Sequence, residues 1–296
     1  MVRPGAYPAA VTPFDERGRL DWAGVAKLLA WFEASGCTGA VLAGTNGEGP
    51  SLSAVEKREL IERAMPLRGK LDLILGIATP SLEEAAWLCR RAHDAGAVAV
   101  LVMAPFYFRE AGEAGIEAWF SELLDRSPLP VIAYNFPKRA GMPLSPELIC
   151  RLGSRETMIG VKDSSGERGN IAAYRQALER PEQVLFVGDE TLLWEALEAG
   201  WSGTISGAAN SLALPIAAIV SDFFSGQRES AQAKFHLTMP LIEAVRSNPQ
   251  PATNKALLHR WGVLPSPAVR LPLTAADPDV VGKLAALLLE KGGLGG

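Results

Sequence analysis

Short apolar runs alternate with longer amphipathic stretches along most of this chain, and that alternation constrains the fold more than any other feature. The runs occupy residues 7–11, 40–43, 71–76, 99–103, 131–134, 158–162, 184–187 and 204–206. Each is followed by a helical pattern, so the order predicts an α/β fold of eight βα units closing into a (β/α)8 TIM barrel. A sandwich would string its strands together without intervening helices. The helix starts agree. Ser53 and Ser81 are each followed three residues later by Glu56 and Glu84, the pattern of a capping box. Gly36, Gly96 and Gly200 stand shortly before the next strand, where a left-handed cap turns the chain back.

Beyond the eighth unit, helical patterns at 228–247, 252–261 and 278–290 predict a C-terminal helical extension. With 296 residues, the chain reads as one barrel-sized domain: 1–225 for the barrel and 226–296 for an extension of the same domain. The terminal Gly292-Gly293-Leu294-Gly295-Gly296 reads as a frayed tail.

Composition narrows the function. The chain is 48% hydrophobic and 21% charged, with 29 Lys and Arg against 33 Asp and Glu. No basic block marks a nucleic-acid footprint, so a small-molecule ligand is expected. Cys37, Cys89 and Cys150 are far apart and odd in number, which excludes a fully paired disulfide framework and points to a reducing, cytoplasmic compartment. No uncharged run approaches about 18 residues, and residues 1–13 lack an apolar stretch of signal-peptide length. Neither a membrane span nor secretion is expected.

A barrel carries its active site at the C-terminal ends of its strands. Lys27, Lys57, Lys234, Lys255, Lys283 and Lys291 fall in helical patterns, and Lys70 precedes the third strand at the opposite end. Lys162, ending the sixth strand, and Lys138, in the polar loop after the fifth, remain. An ammonium at the edge of a packed sheet loses hydration, which favours the neutral amine, a nucleophile towards ketones. The alternative is a lysine that snorkels to water or pairs with Asp163. Tyr134 ends the neighbouring fifth strand, as a proton carrier for that amine or as a core tyrosine with a satisfied hydroxyl.

The second strand runs into Gly44-Thr45-Asn46-Gly47-Glu48-Gly49, a turn whose N–H groups suit a carboxylate or phosphate. It has neither the dinucleotide spacing nor the Gly-Lys-Ser/Thr of a P-loop. His93, His236 and His259 lie in helical patterns, and no ligand spacing predicts a metal. No G-x-S-x-G elbow is present. Two other readings are a barrel that binds its ligand without turnover and a phosphate site in the glycine-rich 203–207 segment.

On Gly44-Thr45-Asn46-Gly47-Glu48, Tyr134-Asn135-Phe136-Pro137, Gly160-Val161-Lys162-Asp163 and Gly188-Asp189, the chain resembles the dihydrodipicolinate synthase and N-acetylneuraminate lyase family. These are class I, Schiff-base, pyruvate-dependent lyases, and the resemblance covers nearly the whole chain. It implies that Lys162 forms an imine with pyruvate or another 2-keto acid, with Tyr134 as proton shuttle and no separate cofactor. Thr45 would link Tyr134 to Tyr107 of a neighbouring subunit, in a homo-oligomer that is a dimer or a dimer of dimers. Thr45 and Asn46 would hold the keto-acid carboxylate, and Gly188 and Ile205 would line the pocket.

The aldehyde partner is read from departures. Arg139 stands where the synthase branch carries an arginine for aspartate semialdehyde, whose carboxylate a guanidinium suits. Asn46 replaces the second threonine usual in that branch. With Asp189 and Glu190, where the sugar-acid branch contacts hydroxyls, it favours an aldolase or dehydratase for a 2-keto-3-deoxy sugar acid or 4-hydroxy-2-oxoglutarate. Gly207 stands where sialic-acid lyases have serine. Gly49-Pro50-Ser51-Leu52 lacks the histidines with which feedback-regulated synthases bind lysine, so no inhibition by lysine is expected.

Overall fold

In the computed structural model, which describes residues 1–291, the strands are β1 (Gly5–Pro8), β2 (Gly39–Leu42), β3 (Asp72–Ile77), β4 (Ala99–Met103), β5 (Val131–Asn135), β6 (Met158–Asp163), β7 (Val184–Val187) and β8 (Gly203–Ser206). They form one parallel sheet in the order β1-β8-β7-β6-β5-β4-β3-β2. The parallel bridge between Ala9 and Val41 brings β1 against β2 and rounds off the barrel. Nearly every strand residue is buried, because helices cover the outer face while side chains fill the interior. Inside, Tyr7 and Phe186 meet edge to face with centroids 5.3 Å apart.

The first strand departs from its predicted span. Ala9, Ala10 and Val11 are apolar and buried, but they join β2 only through that bridge and the Ala10 N–H to Val41 O bond, so regular pairing ends at Pro8.

Local chemistry sets the helix ends. Ser53 and Glu56 form the full reciprocal capping box of the helix Ala54–Ala64. Ser81 forms only half of one: its hydroxyl accepts the Glu84 N–H, but the Glu84 carboxylate turns away to the Thr79 hydroxyl and the Lys57 ammonium. Gly36, Gly96 and Gly200 adopt φ of +78°, +90° and +77°, as the return to each next strand requires.

Three helices follow the barrel at Arg228–Arg246, Gln250–Arg260 and Pro278–Glu290. The first packs along the helix Ala213–Phe224 that closes the eighth unit. The glycine-rich tail, 292–296, lies outside the described residues. No helix among the described residues is long and apolar enough to cross a membrane.

Candidate active site

Successive side chains on a strand point to opposite faces, so register decides which groups meet. Tyr134 on β5 pairs with Lys162 on β6, and Asn135 pairs with Asp163. Lys162 and Tyr134 therefore share one face, and the Lys162 Nζ lies 4.2 Å from the Tyr134 ring centroid. Lys162 is 4% exposed. It does not snorkel, and it does not pair with Asp163. That carboxylate takes the Asn135 Nδ2–H at 2.8 Å, the Ser165 N–H and hydroxyl, and the Asn170 amide. Among the described residues the amine forms no ion pair, and its neighbour is the Tyr134 ring.

Thr45 comes from the turn after β2. Its hydroxyl and that of Tyr134 are 3.5 Å apart, at the outer limit of a hydrogen bond. The turn is bracketed by Ala43 and Glu48 at φ of +55° and +53°, a left-handed conformation costly for residues with a Cβ. Between them the N–H groups of Thr45, Asn46 and Gly47 donate to no group among the described residues, which leaves a cradle of donors for a carboxylate.

Gly188 follows β7, and a Cβ there would come within 2.9 Å of Lys162 Cε and 2.0 Å of Ser164 Oγ. Only glycine gives the lysine stem its room. Ile205 is fully buried on β8. Gly207 has a similar function further along: a Cβ would lie 2.6 Å from both Asn46 Nδ2 and Gln250 Oε1. The Asn46 amide thus occupies the space that a side chain at 207 would need. Its Oδ1 is buried without a partner.

Other expected site residues are placed differently. Asp189 and Glu190 do not present free carboxylates. Arg246, from the first helix of the extension, donates to both, to Asp189 at 2.8 Å. Glu190 also accepts the Ser206 hydroxyl at 2.6 Å and the Ala208 N–H at 3.1 Å, so its lone pairs are committed. The phosphate reading of 203–207 fails for the same reason: the Glu190 carboxylate takes the Ala208 N–H, and its negative charge repels the phosphate that would need that donor. Arg139 is exposed and its guanidinium has no partner among the described residues. Tyr107 is 73% exposed and meets Phe108 edge to face with centroids 5.1 Å apart; among the described residues its hydroxyl has no partner. Among the described residues no group of three or more His, Cys, Asp or Glu could share a metal ion.

Sequence reasoning missed Arg246, Gln250 and Lys255, which reach these turns from the extension. Lys255 stood among the helical lysines. A trace of its setting is legible, since the apolar Ala252 and Leu258 stand three residues to either side of it on one helix face.

The geometry agrees with what this chain is similar to. The model of the dihydrodipicolinate synthetase family matches residues 4–291. The chain belongs to that family. It is 34% identical over 272 residues to the 4-hydroxy-tetrahydrodipicolinate synthase of Methanosarcina acetivorans, covering 91% of each chain. The enzyme of that name from Pseudomonas aeruginosa is 32% identical over 279 residues, covering 93% of each. Among solved structures, dihydrodipicolinate synthase from Thermotoga maritima superposes with a TM-score of 0.92 at 28% identity, covering 99% of this chain and 100% of that one. The Acinetobacter baumannii synthase in complex with pyruvate also gives 0.92, at 27% identity and with the same coverage. The family's Schiff-base chemistry matches the buried amine beside a tyrosine described above.

Proposed function

We propose that the chain is a class I lyase or synthase that forms an imine between Lys162 and pyruvate or a related 2-keto acid. The observation that carries this is the buried Lys162 amine over the Tyr134 ring, with the Tyr134 hydroxyl beside Thr45. Nζ attacks the ketone carbon, and the ketone oxygen leaves as water with protons passed through Tyr134. The iminium then draws the electron pair of a C3–H bond, and loss of that proton gives an enamine. Its C3 adds to the aldehyde carbon, whose oxygen takes a proton from the same path. Water finally releases product and restores the amine. The imine is itself the electron sink, so the reading requires no bound cofactor.

For the aldehyde, condensation with aspartate semialdehyde is supported by the synthase relatives and by the unpartnered Arg139 guanidinium. A second reading rests on Asn46. Its partnerless Oδ1 is an acceptor for a substrate hydroxyl, which favours an aldolase or dehydratase for a 2-keto-3-deoxy sugar acid or 4-hydroxy-2-oxoglutarate. The exposed Tyr107 and Phe108 pair supports a homo-oligomer in which Tyr107 reaches a neighbour's Thr45.

Borohydride reduction in the presence of pyruvate, read by intact mass, tests the imine. One adduct is expected on the wild type and none on Lys162→Ala. A panel of aldehydes with pyruvate separates the two partner classes, and Arg139→Ala lowers turnover only of a carboxylated aldehyde.

A further inference from the structure

Lys255 lies in the helix Gln250–Arg260, outside the eight βα units, and is 0% exposed. Its ammonium donates to the Glu48 carboxylate and to Ala268 O at 2.7 Å, and sits 4.1 Å from the Phe14 ring centroid. The other Glu48 oxygen accepts the Arg270 N–H at 2.8 Å. Burial opposes the Lys255 charge and Glu48 favours it. A buried ion pair of this kind adds little net stability, so geometry is the more informative consequence.

That geometry concerns one strained turn. Among the described residues Glu48 is one of two non-glycine residues in left-handed backbone, and the other, Ala43, stands at the opposite end of the Thr45–Asn46 segment. Strain of this sort persists only where surrounding contacts hold it. The Thr12 hydroxyl holds Gly47 O at 2.6 Å and the Gly49 N–H holds Gly44 O at 3.0 Å. Among the described residues the Glu48 side chain is held only by Lys255 and the Arg270 backbone.

We propose that Lys255 is a positioning residue: acting through Glu48, it keeps the 44–47 turn in the frame that sets the Thr45 hydroxyl against Tyr134. The inference rests on the imine reading above, and the test separates the two. Lys255→Met with Glu48→Gln removes both charges at nearly constant volume, so neither is left buried alone. Two quantities are read: borohydride trapping of pyruvate, and exchange of the pyruvate methyl hydrogens with deuterium oxide by proton NMR. The second reports enamine formation.

The variant is expected to trap pyruvate to the wild-type extent at saturation while exchanging about 10- to 100-fold more slowly, the scale of a misplaced catalytic group. In a Thr45→Val background the same two substitutions change exchange by less than about twofold, because the contact they preserve is already gone. Equal losses in both backgrounds, or exchange within about twofold of wild type, overturn the positioning role. A wild type that traps no pyruvate overturns the imine reading and this inference with it. If the double variant does not fold, Glu48→Gln alone is read in the same way. A smaller loss, absent in the Thr45→Val background, is expected, and the same two results overturn the proposal.

Discussion

Lys162 and Asp163 are neighbours in sequence but leave opposite faces of β6, the amine to the Tyr134 ring and the carboxylate to the Asn135 amide. Asn135 in turn follows Tyr134 on β5, so one outward hydrogen bond ties the two strand ends whose preceding residues meet inside. The carboxylate serves the lysine as a strand staple, not as a counter-ion.

Asp163→Ala takes their acceptor from the Asn135 amide and from the Ser165 N–H and hydroxyl, and leaves Asn170 only its bond to Ser165. The expected cost is about 2–4 kcal/mol of unfolding free energy, from losing several bonds to a charged group. Urea titration measures it. A variant as stable as the wild type would show that the staple contributes nothing.

Tyr134→Phe and Thr45→Val each remove one hydroxyl of the 3.5 Å contact. Each is expected to slow pyruvate methyl exchange about 100-fold, the usual scale of a lost acid–base group. The double variant is expected to be no slower than the worse single, because both act on one path. Independent, multiplying losses would separate the two hydroxyls.

Gly207→Ser places a Cβ 2.6 Å from the ends of the Asn46 and Gln250 side chains. Those ends can swing away, so the fold survives and thermal stability changes little. The Asn46 amide is displaced, and KM for the aldehyde or sugar acid is expected to rise about tenfold, the loss of roughly one hydrogen bond. A shorter residue, Asn46→Ser, relieves the crowding. An unchanged KM in Gly207→Ser would show that Asn46 does not touch this substrate.

Hydrogen bonding to the Arg270 guanidinium holds the Glu56 carboxyl down to about 2, against an ordinary value of 4.5. The folded pKa lies below the unfolded one, so this contribution to stability is complete above pH 4.5 and is lost as pH falls towards 2. Arg270→Met is expected to flatten the fall in melting temperature on acidification from about pH 5 to about pH 3. It leaves the Arg270 N–H on Glu48 in place. An equally steep fall in the variant would assign the acid limb to other carboxylates.

Burial pushes the Cys37 thiol up to about 12 and the Cys89 thiol up to about 11, while Cys150 is exposed. A thiol reagent reacts through the thiolate. One equivalent is therefore expected to react rapidly with the native chain, and the modified residue to be Cys150. Rapid modification of Cys89 would mean that its helix opens readily.

The barrel was legible because strands covered on both faces read as continuous apolar runs, and β4 and β7 match their predicted spans residue for residue. Lys162 and Tyr134 were legible because a strand end is a place on the working face of a barrel. Lys255 was not, since its partner Glu48 lies 207 residues away and a helical pattern says nothing of what a lysine will meet. Asp189 and Glu190 misled for the same reason: the arginine that occupies them is 57 and 56 positions further on. Half of the Ser81 box was lost to two competitors outside the Ser-x-x-Glu pattern, the Thr79 hydroxyl and the Lys57 ammonium.

The appended helices give the rim of the barrel two separate sources of side chains. Lys162 and Tyr134 are carried by the strands, while Arg246, Gln250 and Lys255 reach the rim from outside the eightfold repeat. Substitutions confined to those helices can therefore reshape the rim without moving the strand that carries Lys162.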